Sequence, residues 1–370
     1  MADAHYDKIK FNIYPNNMIK ILKVRKIIIK EIFIYIYDNM KTKKERIFYY
    51  DFLRAFAIIA VIICHVDIFF GPLITPPEII FKTTFHDIGR IGVPIFLMIS
   101  GALLLNREYE LPSFIKKRFT RIIYPFIFWM ILTIIGLKFA NYNNEYIWNM
   151  FIGNPSITWY FWTLIGIYLA IPIFNSFIRE YGEKGMEYFL IIWFITILLQ
   201  TFNHYPPIPS LKFNVFAEYI GYPILGYYLT SKQFKMNDKK VCIIGSIILI
   251  ISLMTYVYID YNCINLIESI YLNIPIVFMG SGMFLFIKYL DKLNKFDSMK
   301  NNVLGKIITS ISIYSYGIYF SHVFALKIFS MINPHSNLYF IPIFLGIIFI
   351  SWLLPFIVSK IPYLKIFSGA

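Results

Sequence analysis

The chain is predicted to be an all-α, polytopic membrane protein, a bundle of about ten transmembrane helices, and three observations predict it. Its 370 residues are 58% hydrophobic and only 15% charged, whereas a soluble domain is nearer ~45–50% apolar and ~25% charged. Apolar runs long enough to cross a hydrocarbon core of ~30 Å recur along the chain. The basic residues gather in alternate loops between those runs, which is the signature of membrane orientation. A net charge of +14 would otherwise suggest nucleic acid, but its distribution serves topology, and no nucleic-acid partner is expected. Cys64, Cys242 and Cys263 are odd in number and lack a CxxC spacing, so neither a disulfide framework nor a metal site is indicated.

Residues 1–50 form a basic leader with eleven Lys/Arg. Within Met18 to Tyr37, Lys20, Lys23, Lys26 and Lys30 recur at helical spacing opposite an isoleucine-rich face. That pattern fits an interfacial amphipathic helix on an anionic leaflet and equally a poorly ordered tail. Lys30 and Glu31 argue against a span, and the leader is too rich in lysine and asparagine for a cleaved signal. The first true span is therefore expected to act as an uncleaved anchor.

Residues 51–360 hold ten candidate spans at 52–70, 89–105, 119–139, 159–178, 187–202, 215–230, 241–259, 266–287, 307–329 and 339–359, and 361–370 is a short tail. With the N-terminus inside, 30 of the 35 Lys/Arg fall on the cytoplasmic side; the five exceptions are Lys82, Arg90, Lys138, Lys212 and Lys327. Both termini are expected in the cytoplasm, at the plasma membrane. There is no internal repeat and no matched pair of broken helices, which argues mildly against a transporter.

The segment DFLRAFAIIAVIICHVDIFF, 51–70, carries two costly residues. Arg54 and His65 are eleven positions apart, three turns plus ~20° on a helix, so they share a face and stand ~16 Å apart. With Arg54 at the inner surface, His65 lies near or just past the midplane, where an ionisable residue is a functional candidate. A histidine satisfied by a neighbouring helix would fit as well. Cys64 diverges from His65 by ~100°, so the two do not form a dyad. Asp67 diverges further and cannot easily orient the ring.

The loop NREYELPSFIKKRFTR supplies Lys117, Arg118 and Arg121 just before the third span. Arg118 and Arg121 are three apart and share a face; guanidinium forks suit phosphate oxygens, and ordinary inner-surface charge would look the same. Ser100-Gly101, after Pro94, allows close approach to the backbone. In the ninth span Ser315 and His322 are seven apart on one face, with His322 at a depth similar to His65.

Five pieces in order resemble the membrane-bound acyltransferase family 3: the Arg-x10-His of DFLRAFAIIAVIICHV, VPIFLMISGALLL at 93–105, KKRFTRIIYPFIFW at 116–129, WYFWTLIGIYLAIP at 159–172 and SYGIYFSHVF at 315–324. The resemblance implies an O-acyltransferase that moves an acyl group, normally acetyl, from cytoplasmic acyl-CoA to a hydroxyl of an extracytoplasmic or lipid-linked carbohydrate. It makes His65 the essential base and places Arg54, with Lys117, Arg118 and Arg121, at the acyl-CoA. Arg90, Ser100, Trp159, Ser315 and His322 are the candidates for lining the cavity or holding the acceptor. No bound cofactor is expected, only acyl-CoA as donor; the bilayer and a glycan are the other partners. The basic leader departs from the family pattern, and no fused esterase-like domain is expected. Rival readings are an exporter of a surface glycan or lipid-linked precursor on the same fold, and a non-catalytic scaffold.

The charge asymmetry generates a direct test. Cysteines placed singly in the 140–158 loop should react with a membrane-impermeant thiol reagent added outside intact cells, and labelling only after lysis would overturn the assigned orientation.

Overall fold

The computed structural model describes residues 46–66, 69, 75–139, 141–153, 158–202, 218–262, 271–332 and 340–370. The expected leader helix, Asp67 and Cys263 lie outside the described residues. The compact unit that carries the fold begins at Phe48.

Its helices are α1 (Phe48–Val66), α2 (Pro76–Gly89), α3 (Gly92–Leu104), α4 (Leu111–Phe139), α5 (Asn144–Ile152), α6 (Trp159–Phe202), α7 (Gly221–Ser231), α8 (Asp238–Tyr261), α9 (Ile274–Lys292), α10 (Asp297–Lys300), α11 (Val303–Ile332) and α12 (Phe340–Lys360), with no strand among the described residues. Eight stretches are long and apolar enough to cross a membrane. The protein is a multi-pass membrane bundle.

Local chemistry sets the ends. Glu78 accepts a hydrogen bond from the Thr75 backbone N–H at 3.0 Å, and Pro76 and Pro77 follow, so α2 starts there. The side chains of Asn237 and Asn273 accept from Lys240 N and Ile276 N at 2.8 and 3.0 Å, opening α8 and α9.

Four expected spans differ in detail. The 89–105 span is extended backward by α2, joined to α3 through a turn at Arg90 and Ile91 into one apolar stretch, Pro76–Leu104. The 159–178 and 187–202 spans are two arms of α6, broken at Gly182 with φ 60° and ψ −141°, a conformation that glycine adopts without steric cost. The 215–230 span is met by α7, whose 11 residues rise only ~17 Å, about half the hydrocarbon thickness.

α1 runs through the bundle interior, with Leu53, Ala57, Ile58, Ala60 and Val66 fully buried and α2, α3, α9 and α11 packed around it. α8 and α12 instead expose rows of large apolar side chains, among them Ile247, Ile250, Ile251, Met254, Leu345 and Phe349, as surfaces facing lipid do. The loops rich in Lys/Arg meet at one end. Arg179 donates to Glu108 at 2.7 Å, Lys232 to Glu187 at 2.8 Å, and Lys300 pairs with Asp291 at 3.0 Å.

Small residues bring the helices together. A Cβ added at Gly101 would lie 1.8 Å from the Pro223 carbonyl oxygen, and one at Gly226 would lie 2.1 Å from that of Met98. α3 and α7 therefore cross backbone to backbone, which answers the close approach that Ser100-Gly101 permits. Gly226→Ala should destabilise the folded protein by ~1–3 kcal/mol through overpacking. Gly136→Ala, where an added Cβ meets nothing within 4 Å, should be neutral or stabilising by up to ~1 kcal/mol. Thermal unfolding in detergent compares the two, and equal effects would refute the backbone contact.

Candidate active site

The site is organised along α1. Near its start, Asp51 is only 3% exposed and accepts a hydrogen bond from the Ser312 hydroxyl of α11 at 2.7 Å. The Arg54 guanidinium lies 3.7 Å from the same carboxylate oxygen. Arg54 is thus held by a buried carboxylate that is itself tied to another helix.

Near the end of α1, His65 Nδ1 lies 2.7 Å from the Val61 carbonyl oxygen. A carbonyl can only accept, so Nδ1 carries a proton, and in the neutral ring Nε2 bears the lone pair. α11 brings His322 alongside, its ring centroid 5.2 Å from that of His65. His322 is fully buried, and its Nε2 has no hydrogen-bond partner among the described residues. Tyr319 stands 5.9 Å from His322, and Tyr160 stands 5.4 Å from Tyr319. Since Asp51 meets Ser312 and His65 meets His322, α1 and α11 run in the same direction. Ser315 is buried on α11, about two turns from His322 toward the basic end.

Tyr168, on the first arm of α6, connects the two ends. Its hydroxyl interacts with the Ser100 side chain and lies within electrostatic reach of Arg118, Arg121 and Arg54. Three of the cations expected at the donor therefore lie in the electrostatic surroundings of one phenol. Arg118 is partly buried, its guanidinium 5.7 Å from the Phe114 ring centre, and its Nε has no hydrogen-bond partner among the described residues. The Tyr109 hydroxyl is likewise buried without a partner. Burial pushes Tyr109 up from its ordinary range against the pull of Arg118, so at neutral pH it is a hydrogen-bond donor. The Asn175 side chain accepts from Arg107 N at 3.0 Å and donates to Arg107 O at 2.9 Å, fixing the loop before α4. Lys117, Thr120 and Arg121 line an open cavity of about 400 Å³ together with Ile366, Gly369 and Ala370. Adjacent helical residues diverge by ~100°, so Lys117 faces this cavity while Arg118 turns into the bundle.

The opposite end gathers other chemistry. Trp159 stacks on Tyr271 at 5.1 Å and approaches Tyr219 at 5.6 Å. Arg90 Nε lies 3.9 Å from Asp87. Cys64 donates its thiol to the His86 carbonyl oxygen at 3.6 Å, away from the His65 ring.

The sequence reading misses Asp51, Arg107, Tyr109, Tyr168, Asn175 and Ser312. Asp51, three residues before Arg54, offered a spacing signal. The others reach the site from separate segments whose meeting no local pattern announces.

A family model described as an acyltransferase domain matches residues 47–358. Comparison with curated proteins and with solved structures finds no match.

The buried carboxylate gives a measurable consequence. Asp51→Ala removes a buried partner of both Arg54 and Ser312 and should cost roughly 1–3 kcal/mol, because the Ser312 hydroxyl loses a hydrogen bond to a charged acceptor. Ser312→Ala should cost about 1–2 kcal/mol. A double-mutant cycle by thermal unfolding reads the coupling, and strict additivity would show that Asp51 and Ser312 do not interact.

Proposed function

Because this chain belongs to the membrane acyltransferase family whose domain spans residues 47–358, we propose that it transfers an acetyl group from cytoplasmic acetyl-CoA to a hydroxyl of an extracytoplasmic or lipid-linked carbohydrate. The observation that carries this reading is the His65–His322 ring pair, 5.2 Å apart on α1 and α11, on the same helix as Arg54.

Acetyl-CoA presents phosphates at one end and a thioester at the other. Its phosphates fit the basic end, where the buried Arg118 Nε and Tyr109 hydroxyl have donors to spare and charge-assisted bonds to phosphate are strong. Lys117 and Arg121, lining the open cavity, suit the more exposed part of the head group. The pantetheine arm then runs along α1 past Tyr168, over the ~16 Å that separates Arg54 from His65.

At the thioester, His65 Nε2 takes the proton of the acceptor hydroxyl as that oxygen attacks the carbonyl carbon. The tetrahedral intermediate collapses with cleavage of the carbon–sulfur bond, releasing CoA thiolate and the acetyl ester. The thiolate then takes up the proton held by His65. The Val61 carbonyl keeps His65 in the productive tautomer. His322, fully buried behind it, limits how the ring can turn. With the Cys64 thiol directed to α2, direct transfer without an acyl-enzyme is the simpler course. Trp159 and Arg90, at the far end, suit the acceptor: an aromatic face packs against a sugar ring, and a guanidinium donates to its oxygens.

The proposal is tested with protein reconstituted in liposomes, following CoA release from acetyl-CoA and acyl mass on glycans from cells with and without the gene. His65→Ala should lower turnover by ~10²–10⁴-fold with donor binding nearly unchanged. Arg54→Ala, Arg118→Ala and Arg121→Ala should each weaken acetyl-CoA binding by ~1.5–3 kcal/mol. Near-normal transfer by a folded His65→Ala protein would refute the role of His65. A wild-type protein that releases no CoA while moving a glycan across the membrane would favour the exporter reading.

A further inference from the structure

At the end of the bundle away from the basic loops, α2 and α8 bring together three groups that the acyl-transfer reading does not use. His86 and Asp87 lie at the end of α2, and Asp260 lies at the end of α8. The His86 ring nitrogen and one carboxylate oxygen each from Asp87 and Asp260 all lie within 4.8 Å of one another. One histidine nitrogen and two carboxylate oxygens form a donor set for a divalent transition metal.

A second observation points to an occupant. Asp87 is 0% exposed, yet neither of its carboxylate oxygens has a hydrogen-bond partner among the described residues. Its neighbours are too far to satisfy it: His86 Nδ1 is 3.6 Å away, and Arg90 Nε, itself buried without a hydrogen bond, is 3.9 Å away. A carboxylate left so deep without strong partners is costly. The other two donors of the set are reachable from outside the fold: the His86 side chain is partly exposed and Asp260 is exposed.

We propose that His86, Asp87 and Asp260 bind one divalent transition-metal cation, with zinc and manganese as the best-matched ions. Metal–ligand bonds of ~2.0–2.2 Å place ligand atoms ~3–4 Å apart, so the exposed Asp260 side chain has only about 1 Å to move. The cation neutralises the charge that Asp87 buries and fastens α2 to α8. It also bears on the site indirectly. The Cys64 thiol is bonded to the His86 carbonyl, and a Cβ at Gly89 would lie 2.7 Å from the Ala60 carbonyl, so the end of α2 rests on α1 directly beside His65.

The inference stands apart from acyl transfer, and its test reads metal rather than turnover. Full-length protein carrying a non-histidine affinity tag is purified in detergent without chelator, and bound metal is measured by mass spectrometry. Zinc or manganese should be found at one atom per chain. Chelator-stripped protein should gain at least about 3 °C in melting temperature when the metal is restored in excess of its dissociation constant. Asp260→Asn should lose both the metal and the gain; His86→Gln serves as the second variant should Asp260→Asn fold poorly. Substoichiometric metal in the wild type, with no shift on adding zinc or manganese, overturns the proposal and leaves water beside Asp87. Metal and shift retained in both folded variants overturns it equally.

Discussion

A carboxylate inside an apolar bundle must be paired, and the pairing of Asp51 governs how this molecule is put together. Its oxygen is bound by Ser312 on α11 and lies beside Arg54 on its own helix. α1 is enclosed by α2, α3, α9 and α11, so its rotation and depth cannot be adjusted after packing. Once Asp51 faces α11, Arg54 is committed to the basic end, and the same face carries His65 toward His322. The polar pair at one end and the ring pair at the other thus fix two helices at two points.

Around that pair, close backbone crossings at glycines draw further helices together. Gly101 against Pro223 and Gly226 against Met98 seat the short α7 on α3, and α7 ends where Lys232 joins Glu187 on the second arm of α6. The break at Gly182 lets that arm turn back toward the bundle. These contacts hold the Ser100 side of α3 and the Tyr168 side of α6 in register, so a phenol, a hydroxyl and three guanidinium groups share one region. The lipid-facing helices α8 and α12 contribute little to it.

The two ends of the bundle carry different chemistry. The basic end offers donors without a hydrogen-bond partner among the described residues, Arg118 Nε and the Tyr109 hydroxyl; the far end offers acceptors on Asp87 likewise unpartnered among the described residues, and an aromatic face on Trp159. The His65–His322 pair lies where the two regimes meet. This polarity follows from solvation: phosphate is met by cations at an aqueous surface, and a buried carboxylate demands a cation of its own.

The sequence by itself determined the helical class, the order of the spans, the grouping of basic loops and the line from Arg54 to His65. Each is a local property: hydropathy over twenty residues, charge in a short loop, or spacing on one helix. It also placed His322 at the depth of His65, because depth is read from distance along a span. Only the tertiary structure decided that His322 faces His65, that Asp51 is held by Ser312, that Tyr168 lies in the electrostatic surroundings of three arginines, and that Asp260 meets Asp87 across 173 positions of chain. The reason is rotational. Hydropathy fixes how far along the membrane normal a residue sits, but the partner it meets depends on how each helix is turned about its axis, and that is settled by the packing of all the helices together.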